Sequence, residues 1–260
     1  MEKLPARVGW HWVKQGFAVF RKQPGALMAI LFSCMFLSLL SSILPLVGVF
    51  LPALLAPIFS VALLQGCADI DQGKRALPQL LLAGFQVPAR KHLLLLGVVY
   101  MVVMLVALVA LNLLGADAIS QMTDNPGKLD PKILDNMRGA ALVSALIYMG
   151  GWLLTCLAAP LIYWQKMALG KALFFSVVTV VREIKAFATM MVSLYLLCQL
   201  LGVVPLLLFG SPQLAFAAVF SIILMLIVLM HCSLYAAYRQ IFGPPPASPT
   251  TPTPTPPEQP

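Results

Sequence analysis

Long apolar runs alternate with short basic segments along the chain, and the runs have the length of bilayer spans. An α-helix needs about 20 predominantly apolar residues to cross the hydrocarbon. Residues 25–66 are apolar throughout and roughly twice that length, which predicts two spans, near 25–44 and 47–65, with Leu44, Pro45 and Gly48 making the turn. Four further runs predict spans near 93–114, 140–164, 187–208 and 214–235. Pro52 and Pro57 fall in the second span and Pro160 near the end of the fourth. In the second span proline is tolerated when neighbouring groups re-satisfy the freed carbonyl, and it predicts a kink there. The expected fold class is all-α, with six transmembrane helices arranged as three hairpins.

Each pair of runs is introduced by an amphipathic segment, at 9–24, 76–92 and 168–185. At helical spacing, Trp10, Val13, Phe17 and Phe20 share one face of the first, and Arg7, His11, Lys14, Arg21 and Lys22 crowd the rest. Aromatic rings opposed by cations suit the headgroup boundary, where rings sit at the interface and cations meet anionic lipid. The same pattern fits a helix docked on the protein's own loops, so both readings stay open. The candidates for membrane-interface or partner contact are Trp10, Trp12, Phe17, Phe20, Arg21, Lys22, Arg90, Lys91 and Arg182. An offset of 68 pairs Gly16-Phe17 with Gly84-Phe85, and an offset of 92 pairs Ala76-Leu77 with Ala168-Leu169. These offsets suggest one unit, an interfacial helix followed by a hairpin, used three times.

Composition agrees with the pattern. Apolar residues make up 60% of the 260 and charged residues 10%, against about a quarter charged in soluble domains. The net charge of +8 would suggest nucleic acid in a soluble protein. Here the basic residues flank apolar spans too sparsely for a phosphate-binding surface, and the positive-inside rule accounts for them. Fourteen Lys and Arg fall at the termini and in the 68–92 and 165–186 connectors, and three in the hydrophilic loop 115–139. Both termini are therefore expected in the cytoplasm, and no cleavable signal peptide is evident. The expected domains are a cytoplasmic amphipathic segment (1–24), a six-helix membrane domain (25–242) and a Pro/Thr-rich tail (243–260). That tail has the composition of a disordered, polyproline-like segment.

Chemistry is sparse. By these boundaries no Asp, Glu, Lys or Arg lies inside a span, which argues against a carrier coupled through buried carboxylates. Asn112, Gln199 and His231 are the intramembrane polar candidates. The amides are expected to bond across helices, and His231 to bond backbone or water. The pairs Ala56/Ser60, Ala141/Ala145 and Ala217/Ser221 suit close helix packing. Asp69 and Asp71, beside Lys74 and Arg75, read as a solvated turn. The five cysteines have no CxxC spacing and read as packing residues. No nucleotide, metalloprotease, hydrolase or zinc motif occurs, so neither a cofactor nor a metal is expected, and enzymatic function has no support.

The opening W-x6-F-x2-F-[RK]-x2-P, here Trp10, Phe17, Phe20, Arg21 and Pro24, resembles that of a family of uncharacterised bacterial inner-membrane proteins. The Gly84-Phe85 segment before the third span and the long loop before the fourth are similar too. The resemblance implies a six-helix protein of the inner membrane and brings no activity, so no functional residues carry over. The expected role is non-enzymatic: organising or supporting other membrane components, with the bilayer, a membrane-protein partner or a second copy as contacts. The competing expectation is a permease or export channel for an uncharged or amphiphilic molecule, flexed at Pro57 and Pro160 and contacted by Gln199 and Asn112.

Overall fold

The computed structural model describes residues 3–43, 48, 50–85, 89–124 and 131–246, and these are mostly helical, with no strand among them. The helices are α1 (Arg7–Phe20), α2 (Pro24–Ser41), α3 (Leu51–Asp71), a 3-10 helix (Pro78–Phe85), α4 (Ala89–Asp124), α5 (Pro131–Thr155), α6 (Ala158–Gln165), α7 (Leu169–Arg182), α8 (Ile184–Leu208) and α9 (Pro212–Phe242). Among the described residues, six stretches are long and apolar enough to cross a bilayer: Pro24–Ser41, Leu51–Asp71, Ala89–Ala116, Asp135–Gln165, Ile184–Leu208 and Pro212–Phe242. The first turn (44–47) and the tail from 247 on lie outside the described residues.

Residues 115–139 differ from the expected loop. α4 runs on to Asp124 and α5 starts at Pro131, so most of that segment is helix, extending the closely packed α4–α5 pair. The fourth span is itself broken between Thr155 and Ala158. Pro160 supplies the reason: it has no N–H, and its ring collides with the carbonyl four residues back, that of Cys156. Ser176 of α7 mends the break. Its hydroxyl donates to the Leu154 carbonyl at 2.7 Å and accepts from the Leu157 N–H at 3.3 Å, and it is wholly buried.

The amphipathic segments form different structures. The first and third are the α-helices α1 and α7. The second is a 3-10 helix of eight residues, and Arg90, Lys91 and His92 belong instead to the opening turn of α4. None packs chiefly on the hairpin it introduces. The 3-10 helix lies mainly on α3 and α2, α7 lies on α6 and α5, and α1 lies on α9 and α8. Gly16, Gly84 and Ser176, which the offsets align, each abut such a hairpin. A Cβ on Gly16 would stand 2.7 Å from the Ser233 nitrogen of α9, and one on Gly84 would stand 2.7 Å from Ile58 of α3. Only a residue without a side chain permits these approaches.

Candidate functional site

The amphipathic elements share one end of the bundle, where a polar layer ties the ends of the spans together. Asp69 and Asp71 form part of it, which corrects their reading as a solvated turn. Both sit in the last turn of α3. The Asp71 carboxylate accepts from the Tyr235 hydroxyl at 3.0 Å, pairs with the Arg239 guanidinium and faces the Lys22 ammonium at 3.7 Å. Asp69 is buried and accepts from the Gln65 amide at 2.9 Å, while the Gln65 oxygen accepts from the Trp164 indole at 2.7 Å. Gln165 donates to the Tyr238 hydroxyl at 3.1 Å. The layer thus ties α3, α6 and α9 together where their spans end, with Lys22 of the α1–α2 turn beside them. A buried carboxylate is tolerable there because hydrogen bonds replace the water it gives up.

α1 is docked on this layer, and its phase differs from the expected one. The buried face carries Gly9, Trp12, Val13, Gly16, Val19 and Phe20. Trp12 is fully enclosed, with its ring 5.2 Å from that of Phe187 and its indole N–H donating to Gln240 at 2.6 Å. Trp12 and Phe20 are therefore packing residues rather than interface anchors. Trp10 (45% exposed) and Phe17 (52% exposed) point away from the bundle. The Lys14 ammonium lies 5.6 Å over the Trp10 ring. Arg7, His11, Lys14, Trp10 and Gln240 line a recess of about 230 Å³. Arg21, Lys22, Arg90 and Lys91 are exposed at the same end. Cations in the first turn of α4 run against the helix dipole, which favours anions there, so something other than helix stability places them. Arg182 ion-pairs with the buried Glu183 at 3.0 Å, and Glu183 also accepts from the Leu4 N–H at 2.7 Å.

The intramembrane candidates separate. Asn112 donates to the Leu108 carbonyl and Gln199 to the Tyr195 hydroxyl, each on its own helix and each exposed. Among the described residues, neither bridges two helices. Ala141, Ala145, Ala217 and Ser221 are likewise exposed rather than packed between helices. Four cysteines are buried and Cys198 is half-buried; the Cys67 and Cys232 thiols lie 3.1 Å apart between α3 and α9. His231 bonds the Ile227 carbonyl at 2.8 Å. It also borders a cleft of about 910 Å³ between α2, α3, α4, α5 and α9. No pattern in the sequence announced that cleft, because its walls come from five separate helices.

No protein-family model and no solved structure matches the chain. It is similar to a protein of Burkholderia thailandensis named a probable inner membrane protein, with 30% identity over 252 residues that cover 93% of each chain. Similarity of that extent joins to the six apolar helices and the all-helical fold. The chain belongs to the family of that inner membrane protein and is itself a multi-pass integral membrane protein of the inner membrane.

Proposed function

We propose that this protein is a non-enzymatic organiser of the inner membrane that grips anionic lipid headgroups through the outer face of α1. The observation that carries the reading is the exposed set Trp10, Lys14 and Phe17, with Arg7 and His11 beside Trp10 in a recess, on a helix whose opposite face is locked to the bundle. A helix fixed in this way presents its cations at a constant depth, where each is worth about 1 kcal/mol against an anionic leaflet. Exposed Arg21, Arg90 and Lys91 extend the basic surface, and exposed Phe174, Phe175 and Val181 of α7 supply further apolar contact at that end. The same residues favour the cytoplasmic side for both termini, since Lys and Arg accumulate there. A partner protein or second copy would meet the outward Tyr195 and Gln199 of α8, where an amide at hydrocarbon depth gains from pairing.

The full chain in nanodiscs, with phosphatidylglycerol or phosphatidylcholine as the guest lipid, tests this. Native mass spectrometry is expected to show retained phosphatidylglycerol, lost in Arg7→Gln with Lys14→Gln. Equal retention of both lipids, or no effect of the double substitution, overturns it. The permease reading loses its named contacts, since Gln199 and Asn112 do not border the cleft.

A further inference from the structure

We propose that the cleft between α2, α3, α4, α5 and α9 is a binding site for an uncharged, long-chain amphiphile whose head carries hydrogen-bond acceptors. Its volume of about 910 Å³ lies in the range of sites that enclose a small molecule, about 300–1,000 Å³. The lining is mostly apolar and its described residues include no Asp, Glu, Lys or Arg, so nothing there would compensate a charged head. A phospholipid headgroup is therefore the wrong ligand for this site, which separates it from the basic surface of α1.

The polar groups on the cleft define the ligand's head. Ser60 on α3, and Tyr148 and Trp152 one turn apart on α5, all border it. The Ser60 and Tyr148 hydroxyls and the Trp152 indole N–H make no hydrogen bond to any described residue. Other hydroxyls on the same wall behave differently: Ser38 and Ser42 donate to carbonyls of their own helix. His231 has its Nδ1 on the Ile227 carbonyl. Hydrocarbon offers no water to unmet donors, and each costs free energy there until it finds an acceptor. Three unmet donors on residues that border one space call for a head of ester, ether or carbonyl oxygens. Phe32, Met35, Phe36 and Leu39 of α2 continue the wall toward the bundle's other end and suit an acyl or isoprenoid chain.

The test uses the full-length protein in phosphatidylcholine vesicles containing a diacylglycerol with a diazirine in one acyl chain. After irradiation, cross-linked peptides are expected to concentrate in residues 31–42 and 52–63. Excess unlabelled diacylglycerol should compete and phosphatidylglycerol should not. Tyr148→Phe with Trp152→Phe, which removes donors and keeps aromatic bulk, should lower the yield at least fivefold, and Asn112→Leu, outside the cleft, should not. Labelling spread over every lipid-facing helix means bulk lipid only and overturns the proposal. Equal competition by phosphatidylglycerol, or an undiminished yield in the double variant, also overturns it. Should that variant fail to fold, competition on the unsubstituted protein decides.

Discussion

Trp10 and Trp12 lie two residues apart and look alike in the sequence, yet the structure gives them opposite consequences. Trp12 is fully buried, packs on Phe187 and donates to Gln240. Replacing a buried tryptophan with alanine costs about 3–5 kcal/mol through lost transfer energy and the cavity left behind. The lost indole bond adds about 1 kcal/mol. α1 holds the bundle by one face, so the cost falls on its docking equilibrium rather than on the spans. Taking the lower figure, about 3 kcal/mol, the undocked population rises about 100-fold, since each 1.4 kcal/mol is a factor of ten. Trp10→Ala removes an exposed ring and should shift docking by less than about 0.5 kcal/mol. Hydrogen–deuterium exchange of peptides covering residues 7–20, in detergent, reads the difference directly. Protection should fall by two orders of magnitude in Trp12→Ala and stay near the starting value in Trp10→Ala. Equal loss in both variants, or none in Trp12→Ala, refutes the docked helix.

Three further expectations rest on single contacts. Asp71→Asn removes the charge shared by Arg239 and Lys22. These groups are partly exposed, so the loss should be about 1–2 kcal/mol in detergent thermal unfolding and should shrink in high salt; a salt-independent loss would point to packing instead. Ser176→Ala leaves the Leu154 carbonyl and Leu157 N–H at the helix break without their bridge. It should cost about 1–3 kcal/mol, and exchange at residues 154–158 should rise; unchanged exchange would mean the break is held by other contacts. Gln199→Leu trades an outward amide for an apolar side chain. In the detergent-isolated monomer it should be neutral or stabilising, and a loss above about 1 kcal/mol would instead show that the amide is held within the bundle rather than turned outward.

The six spans were legible because length and hydropathy are enough to specify a bilayer crossing. A kink was expected in the second span, where α3 runs on past Pro57, and the break came instead in the fourth, at Pro160. The face of α1 was not legible. Hydropathy follows large side chains and so phased the helix on Trp10 and Phe17, whereas the docked face is organised by Gly9 and Gly16. Those residues contribute closeness and carry almost no hydropathy signal. Asp69 and Asp71 were misread because their partners are remote: Tyr235 and Arg239 lie 164 and 168 residues from Asp71. Beside Lys74 and Arg75 a solvated turn was the economical local reading. The cleft was invisible for a related reason, since no window of sequence contains more than one or two of its walls.

The contacts of α1 also impose an order of assembly. Leu4 reaches Glu183 and Trp12 reaches Gln240, across 179 and 228 residues. α1, made ahead of the spans, therefore has no seat until the final hairpin has been inserted, and its Trp12 face stays uncovered through the synthesis of all six spans. Its docking therefore follows the insertion of the last span and joins α1 to α8 and α9. Chains interrupted before α8 would leave that apolar face open, which gives the cell's quality-control proteases a surface by which to tell an unfinished bundle from a closed one.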